Sequence, residues 1–158
     1  MAKIQFSFEY AWEPFEVERR HLTFKQHKSA RLSRYKCSHW GAAIYKWEGV
    51  LQEEPNAGKI GILIGETKDL RQRIKQYISG TQKSGNVFWR ENFLERGDIY
   101  LYILKLQTVH FIADAIRQKK LDIQDLSSGN VRVVYEQLLV MSEVAKKQQN
   151  VWIVNRKL

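Results

Sequence analysis

The sequence has a single cysteine, Cys37, and only two prolines among its 158 residues. One cysteine excludes an internal disulfide framework and any zinc site built from several cysteines. The four histidines lack metal-ligand spacing, and neither a glycine-rich dinucleotide fingerprint nor a phosphate-binding lysine loop occurs. The sequence therefore offers no support for hydride transfer or for nucleotide-driven chemistry.

Long apolar segments are also missing. The longest apolar run, 99–104, has the length of a strand, far short of the ~20 residues that span a bilayer. Residues 1–5 lack the apolar core of a secretory signal, so we expect a cytoplasmic protein without a membrane partner. With 44% hydrophobic and 27% charged residues, the composition is typical of one globular domain.

Positive charge exceeds negative charge. The chain carries 26 Lys and Arg residues against 17 Asp and Glu residues, a net charge of +9. This balance favours polyanionic partners because it raises their local concentration. Residues 19–36 contain no acid, and the aromatic residues Phe24 and Tyr35 lie among their basic side chains. The interleaving favours nucleic acid over an acidic membrane surface, for which no basic amphipathic helix is evident.

Two segments are candidates for contact with DNA. We predict backbone contacts from 19–36 and groove contacts from a loop over 79–96, whose asparagine and arginine side chains suit base edges. A tryptophan in that loop can stack or wedge between bases. The candidate DNA-binding residues are Arg19, Arg20, Lys28, Arg31, Arg34, Lys83, Asn86, Trp89 and Arg90. The alternatives are a solvated positive surface and a solvated loop anchored by its tryptophan.

Hydrophobic patterning predicts an α+β domain built on an antiparallel hairpin. Alternation or β-branched runs predict strands over 4–8, 42–47, 59–64, 99–106 and 151–154. Helical periodicity predicts a helix after 67, with Thr67 as its N-cap, and further helices over 108–119 and 131–145. Residues 13–40 are only weakly periodic. We assign 1–38 to a basic N-terminal extension and 39–158 to the domain itself.

A few residues at one end of this hairpin suit phosphate chemistry. Arg73 and Tyr77, at i and i+4, share a helical face, and Tyr45 lies in the preceding strand. An arginine can hold a phosphate by two hydrogen bonds and neutralise charge in a transition state. Glu136 follows an apolar helix position, and one carboxylate with water suffices for Mg²⁺. Taken singly, each also fits a packed aromatic ring or a solvated helix charge.

Two stretches of the hairpin and its helix contain motif residues at specific spacings. They are Ala43-Ile44-Tyr45 and Ile64-Gly65-x-Thr67-x-Asp69-Leu70-x-x-Arg73-x-x-x-Tyr77. This pattern resembles the core of the GIY-YIG nuclease superfamily, over roughly 40–158 of the chain. The resemblance implies a small antiparallel sheet flanked by helices and a metal-dependent DNA endonuclease that hydrolyses phosphodiester bonds. The short chain favours a restriction-like or mobile-element-associated nuclease, with DNA rather than RNA as the partner.

The resemblance also implies a role for each matched residue. Tyr45 would act on the attacking water, Arg73 would stabilise the scissile phosphate and Tyr77 would help organise the nucleophile. Glu136 would bind one Mg²⁺ or Mn²⁺ ion, and a late asparagine would contact phosphate. The implied catalytic residues are Tyr45, Arg73, Tyr77, Glu136 and Asn155, with Asn150 as the alternate for the asparagine. One such site cuts one strand, so double-strand cleavage requires a homodimer or two successive events.

The sequence departs from the family pattern at two positions. Ala43 replaces the first glycine, and Leu63 replaces the tyrosine of the second motif. The lost hydroxyl is the larger change, because one acid–base group is worth roughly 10²–10⁴-fold in rate. Either another group substitutes for it, with Lys46, Lys59 and His39 as the candidates, or the enzyme is slow or inert. The alternative hypothesis is a catalytically inert DNA-binding protein on the same scaffold.

Overall fold

The computed structural model describes residues 2–30, 40–80, 85–113 and 125–155. Its strands are β1 (Ile4–Pro14), β2 (Glu16–Val17), β3 (Arg20–His21), β4 (Ala43–Leu51), β5 (Ile60–Thr67), β6 (Gly97–Ala113) and β7 (Val151–Ile153). Its helices are α1 (Phe24–Ser29), α2 (Leu70–Ser79), α3 (Gly85–Trp89), continued by a π-helical turn (Arg90–Leu94), and α4 (Gly129–Ala145). Within these ranges, no helix combines the length and the apolar character needed to cross a membrane.

A five-stranded sheet in the order β1-β6-β4-β5-β7 forms the centre of the fold. The hairpin of β4 and β5 is confirmed, with Tyr45 opposite Gly65 and Trp47 opposite Leu63. The sheet is mixed and not purely antiparallel, because β7 pairs in parallel with β5. That parallel pairing follows from α4, which returns the chain to the end of the sheet where β5 begins. The α+β class is confirmed.

Helices cover both faces of this sheet. Strand alternation turns Tyr45 and Trp47 to one face, where α1, α2 and the π-helical turn bury the first core cluster. Ile44 points to the other face, where Tyr135 and Leu139 of α4 close the second cluster. Each fully buried large apolar side chain contributes about 1.5–3 kcal/mol relative to exposure. The two faces therefore hold α2 and α4 on opposite sides of β5.

The predicted N-terminal extension takes part in this architecture. β1 pairs along its whole length with β6, so it forms an edge strand of the main sheet. Phe15, Leu22 and Phe24 are buried in the first core cluster. Thr23 begins α1 with a capping box that includes Gln26. Residues 2–30 thus share the sheet and the core of the later segments, and 31–38 lie outside the described residues.

The prediction of a helix over 108–119 is wrong in its described part. Residues 108–113 continue β6 and pair with 4–9 of β1, with one register shift that leaves Gln107 opposite no residue. Thr108, Val109, Phe111 and Ile112 are β-branched or aromatic, and an available partner strand decides their conformation. Residues 114–119 lie outside the described ranges.

Two smaller predictions are also corrected. The N-cap of α2 is Asp69, whose carboxylate accepts a hydrogen bond from the backbone N–H of Gln72. The Thr67 hydroxyl instead bonds to the backbone of Asp69. The predicted loop over 79–96 is helical across 85–94, where Phe93 and Leu94 enter the first core cluster.

Candidate active site

A cleft of about 240 Å³ lies at the edge of β5, beyond the three residues that pair with β7. Because β7 ends at Ile153, no strand of the described residues pairs with the second half of β5 on that side, and side chains from both faces of the sheet reach this edge. The lining residues are Tyr45, Leu63, Ile64, Gly65, Glu66, Arg73, Tyr77, Asn86, Trp89, Glu136 and Asn155. The cleft therefore brings together all five residues that the sequence resemblance matched to catalytic positions.

Two buried phenols form one wall of the cleft. The hydroxyls of Tyr45 on β4 and Tyr77 on α2 hydrogen-bond at 2.9 Å, and the side chains are 1% and 3% exposed. Burial raises the pKa of the Tyr45 phenol well above its usual range, and the neighbouring Tyr77 raises it further. Burial also raises the pKa of Tyr77. Both hydroxyls are therefore protonated at neutral pH and act as hydrogen-bonding groups.

Glycine at position 65 is required by the Tyr45 ring. Tyr45 lies opposite Gly65 in the β4–β5 pairing. A Cβ atom at Gly65 would lie 2.4 Å from the Tyr45 hydroxyl oxygen and 2.5 Å from its ring carbon. Only a residue without a side chain lets the phenol cross β5 and reach the cleft.

Arg73 and Glu136 face the cleft from opposite sides of the sheet edge. Both are partly buried, and within the described ranges neither side chain makes a hydrogen bond or an ion pair. Burial raises the pKa of Glu136 to about 7, with the Glu66 carboxylate adding to the rise and Arg73 opposing it. The cleft thus holds a guanidinium and a carboxylate that are each available to a ligand.

Sequence reasoning missed a second carboxylate, Glu66, and its partner Arg132. The Arg132 Nε donates to Glu66 at 2.6 Å, and its Nη1 donates to the carbonyl oxygens of Leu126 and Ser127 at 2.9 Å each. Arg132 is 6% exposed, although it is charged. It lies one helical turn before Glu136 on α4, so this ion pair ties the turn that carries Glu136 to β5. In the sequence, the i,i+4 spacing of Arg132 and Glu136 is the signal that places the two residues on one face of α4.

Asn155 completes the edge of β5 through its side chain. The Oδ1 atom accepts the backbone N–H of Ile64 at 2.8 Å, and Nδ2 donates to the Ile64 carbonyl at 2.6 Å. The amide therefore continues the pairing between β5 and β7, and an amide group has one further N–H. Asn150 accepts the Ile60 N–H through its backbone and does not line the cleft.

Leu63 lines the cleft where the family pattern has a hydroxyl. Its side chain is buried and belongs to the first core cluster. Neither Lys46 nor Lys59 lines the cleft. Lys46 pairs with Glu48 at 2.8 Å, and Lys59 donates to a loop asparagine. His39 lies outside the described residues. The second hydroxyl beside Tyr45 is that of Tyr77.

The candidate DNA-binding residues separate into groups. Asn86 and Trp89 line the cleft, and Trp89 also packs against the first core cluster. Arg90 donates to the carbonyl oxygens of Tyr77, Ile78 and Gly80, so it binds the C-terminal end of α2. Its charge thereby stabilises the helix that carries Arg73.

The remaining basic candidates that the structure describes do not line the cleft. Lys28 on α1 is ion-paired with Glu95. Arg19 and Arg20 are exposed at the β2–β3 turn, where Arg19 has a φ of 64°. Arg31, Arg34 and Lys83 lie outside the described residues.

Comparison of the chain with protein-family models, curated proteins and solved structures found no match. The resemblance to the GIY-YIG nucleases therefore rests on the motif residues themselves. Within the ranges that the structure covers, no three His, Cys, Asp or Glu side chains are grouped to hold a metal ion.

Proposed function

We propose that this protein is a metal-dependent DNA endonuclease that hydrolyses phosphodiester bonds in the cleft. One observation carries the proposal: the cleft brings together an arginine and a carboxylate without partners among the described residues and a hydrogen-bonded pair of buried phenols. These groups come from β4, α2 and α4, on both faces of the sheet. A net charge of +9 favours a polyanionic substrate.

Arg73 suits the scissile phosphate. Its guanidinium has no intramolecular partner within the described ranges, so binding an anion there breaks no existing ion pair. A guanidinium can form two parallel hydrogen bonds to phosphate oxygens and stabilise the charge that grows on them. The further N–H of Asn155 provides a neutral donor beside it.

Glu136 suits a divalent cation. Its carboxylate is a hard oxygen donor, and Mg²⁺ retains several waters, so one protein carboxylate with substrate oxygens meets its preference. Bound there, Mg²⁺ or Mn²⁺ would polarise the phosphate and stabilise the leaving oxygen. The Glu136 carboxylate must be ionised to bind the cation, and its pKa of about 7 makes that step pH-dependent.

The two phenols suit the attacking water. A raised pKa keeps the Tyr45 phenol neutral, so it positions water by hydrogen bonding, and its bond to Tyr77 fixes the direction of the hydroxyl. Attack of water on phosphorus breaks the bond to the 3′ oxygen, which takes up a proton. The products are 5′-phosphate and 3′-hydroxyl ends.

A second candidate function is favoured by Leu63. This buried leucine supplies no polar group where the family pattern has a tyrosine. The same cleft would then bind phosphate through Arg73 without hydrolysis, and the protein would be an inert DNA-binding protein. Catalysis separates the two functions.

The deciding experiment incubates the protein with supercoiled plasmid, with Mg²⁺ or Mn²⁺ and with chelator. We expect metal-dependent nicking that is lost in Arg73→Ala and kept in Lys105→Ala, which removes one positive charge outside the cleft. Retarded but uncut plasmid would favour the inert binder. Linear product would indicate a homodimer or two successive cuts. We place this activity in the cytoplasm, with DNA preferred over RNA.

A further inference from the structure

The outer side of α2 carries positive charges without ionic partners. Lys68 in the turn before α2, and Arg71 and Lys75 on the helix, are exposed. Within the described ranges none of them forms an ion pair, and Arg71 lies over the Trp40 ring at 5.7 Å. Arg71 and Lys75 are at i and i+4, so they lie on one helical face. These three residues are called the α2 track below.

Seven basic residues elsewhere in the described part of the chain are ion-paired with acids. The ion pairs are Lys28–Glu95, Lys46–Glu48, Arg90–Glu91, Arg96–Glu53, Lys105–Glu13, Arg132–Glu66 and Lys146–Glu143. The α2 track differs from these seven residues, because three positive charges without an ion pair in the described ranges lie together along α2 and the turn before it.

Three adjoining depressions connect this track to the cleft. The cleft shares Glu66 and Arg73 with a second depression of about 250 Å³, which Lys68 also lines. The second depression shares Asp69 and Gln72 with a third, of about 590 Å³. Arg71 and Lys75 line the third. The shared residues join the three depressions along α2 from Arg73 to Lys75, with a basic side chain at each stage.

The two acids that line the second and third depressions already have partners. Glu66 is paired with Arg132, and the Asp69 carboxylate caps α2 by accepting the Gln72 N–H. Basic side chains outnumber these two acids in the linings, so the second and third depressions offer a net positive charge to a ligand. Gln72 and Gln76 add neutral hydrogen-bonding groups to the second depression.

We propose that the α2 track binds the phosphate backbone of the DNA that leads into the cleft. This inference rests on the proposed function, since it takes DNA as the ligand of the site. Lysine and arginine contacts to phosphate release counterions and are independent of sequence. The track therefore sets affinity and salt dependence, and leaves base recognition to other residues.

The test measures binding of a labelled DNA duplex by fluorescence anisotropy in EDTA over a series of KCl concentrations. We compare wild type with Lys68→Ala/Lys75→Ala and with Lys59→Ala/Lys105→Ala, which removes the same charge from exposed sites outside the three depressions. Each lost phosphate contact lowers the slope of log K against log[salt] by about 0.9, so the track variant should lose about 2. The control variant should retain the wild-type slope.

The outcomes separate the track from the proposed function. Equal slopes in wild type and the track variant would overturn the track while plasmid nicking by wild type upheld the nuclease. A reduced slope with uncut plasmid would support the track and favour the inert binder. Absence of duplex binding by wild type would overturn the track, and absence of plasmid nicking as well would overturn the proposed function. Circular dichroism of each variant checks that the exposed substitutions leave the fold intact.

Discussion

The Tyr45 and Tyr77 hydroxyls are held 2.9 Å apart with almost no solvent exposure, and their bond joins β4 to α2 at the cleft. An unpaired hydroxyl in a hydrophobic core is destabilising, and each of these two buried hydroxyls has the other as its hydrogen-bond partner. The same bond fixes the direction in which each oxygen can face a ligand. Structure and proposed chemistry therefore depend on the same pair.

Replacing one of the two phenols should cost both stability and rate. In Tyr45→Phe the Tyr77 hydroxyl loses its partner, and the free energy of unfolding should fall by about 1–3 kcal/mol. The nicking rate should fall by roughly 10²–10⁴-fold if Tyr45 positions water. In Tyr45→Phe/Tyr77→Phe no hydroxyl remains unsatisfied, so part of the stability should return without activity. Urea unfolding and plasmid nicking measure the two effects, and full activity in Tyr45→Phe would contradict the assignment.

Gly65→Ala should displace the Tyr45 ring. The new methyl group would meet the phenol at 2.4 Å, and the buried ring can move only by disturbing the core. We expect a stability loss of about 1–3 kcal/mol, together with loss of nicking. Gly41→Ala is the matched control, since nothing lies within 4 Å of its added Cβ. Equal stabilities for the two variants would show that the ring adapts.

Glu136→Gln should stabilise the metal-free protein at alkaline pH. The pKa of Glu136 is raised from 4.5 to about 7, so the unfolded chain releases this proton first as the pH rises. Its contribution to stability is complete below pH 4.5 and is lost by about pH 7. At higher pH the glutamine variant should be more stable by about 1–2 kcal/mol. Thermal melts without metal over a pH series measure this.

The same variant tests the proposed cation site. Wild type should gain stability when Mn²⁺ is added at alkaline pH, because a ligand that binds the native state stabilises it. Glu136→Gln should gain little. If Glu136→Gln gained as much stability from Mn²⁺ as wild type does, the cation would bind at another site.

His27 should make the protein sensitive to acid. The imidazole is fully buried, and burial lowers its pKa from 6.5 to about 4, with His21 adding to the effect. Its contribution to stability is present above pH 6.5 and is lost as the pH falls toward 4. The loss should reach up to about 3 kcal/mol. His27→Leu removes the titrating group, so unfolding measured across this pH range should show a flatter acid limb; an unchanged limb would assign the sensitivity to other groups.

Local pattern was enough to predict several elements. The sequence predicts the β4–β5 hairpin, α2 and α4 because alternation and 3.6-residue periodicity depend only on neighbouring residues. The spacing of Arg73 and Tyr77 places them on one helical face without any tertiary information. Thr67 is not the N-cap because it still belongs to β5, and Asp69, which directly precedes the first helical residue Leu70, supplies the capping carboxylate.

Contacts between residues that are far apart in the sequence could not be predicted from local pattern. Residues 108–113 form strand because β1, about a hundred positions earlier, offers its hydrogen bonds. The sequence predicts Arg90 as a DNA contact, but in the structure its guanidinium donates to backbone carbonyl oxygens at the end of α2. Glu66 and Arg132 are 66 positions apart, so their ion pair had no sequence signal beyond the i,i+4 spacing to Glu136.

The sequence by itself therefore determined which residue types suit phosphate chemistry and which local elements carry them. Only the tertiary structure decided that they meet, because β7 stops after three paired residues and opens the edge of β5. α2 then brings Arg73 and Tyr77 from one face of the sheet, and α4 brings Glu136 from the other. Burial of two apolar faces positions these helices, and the polar side chains meet where the sheet leaves a gap between them.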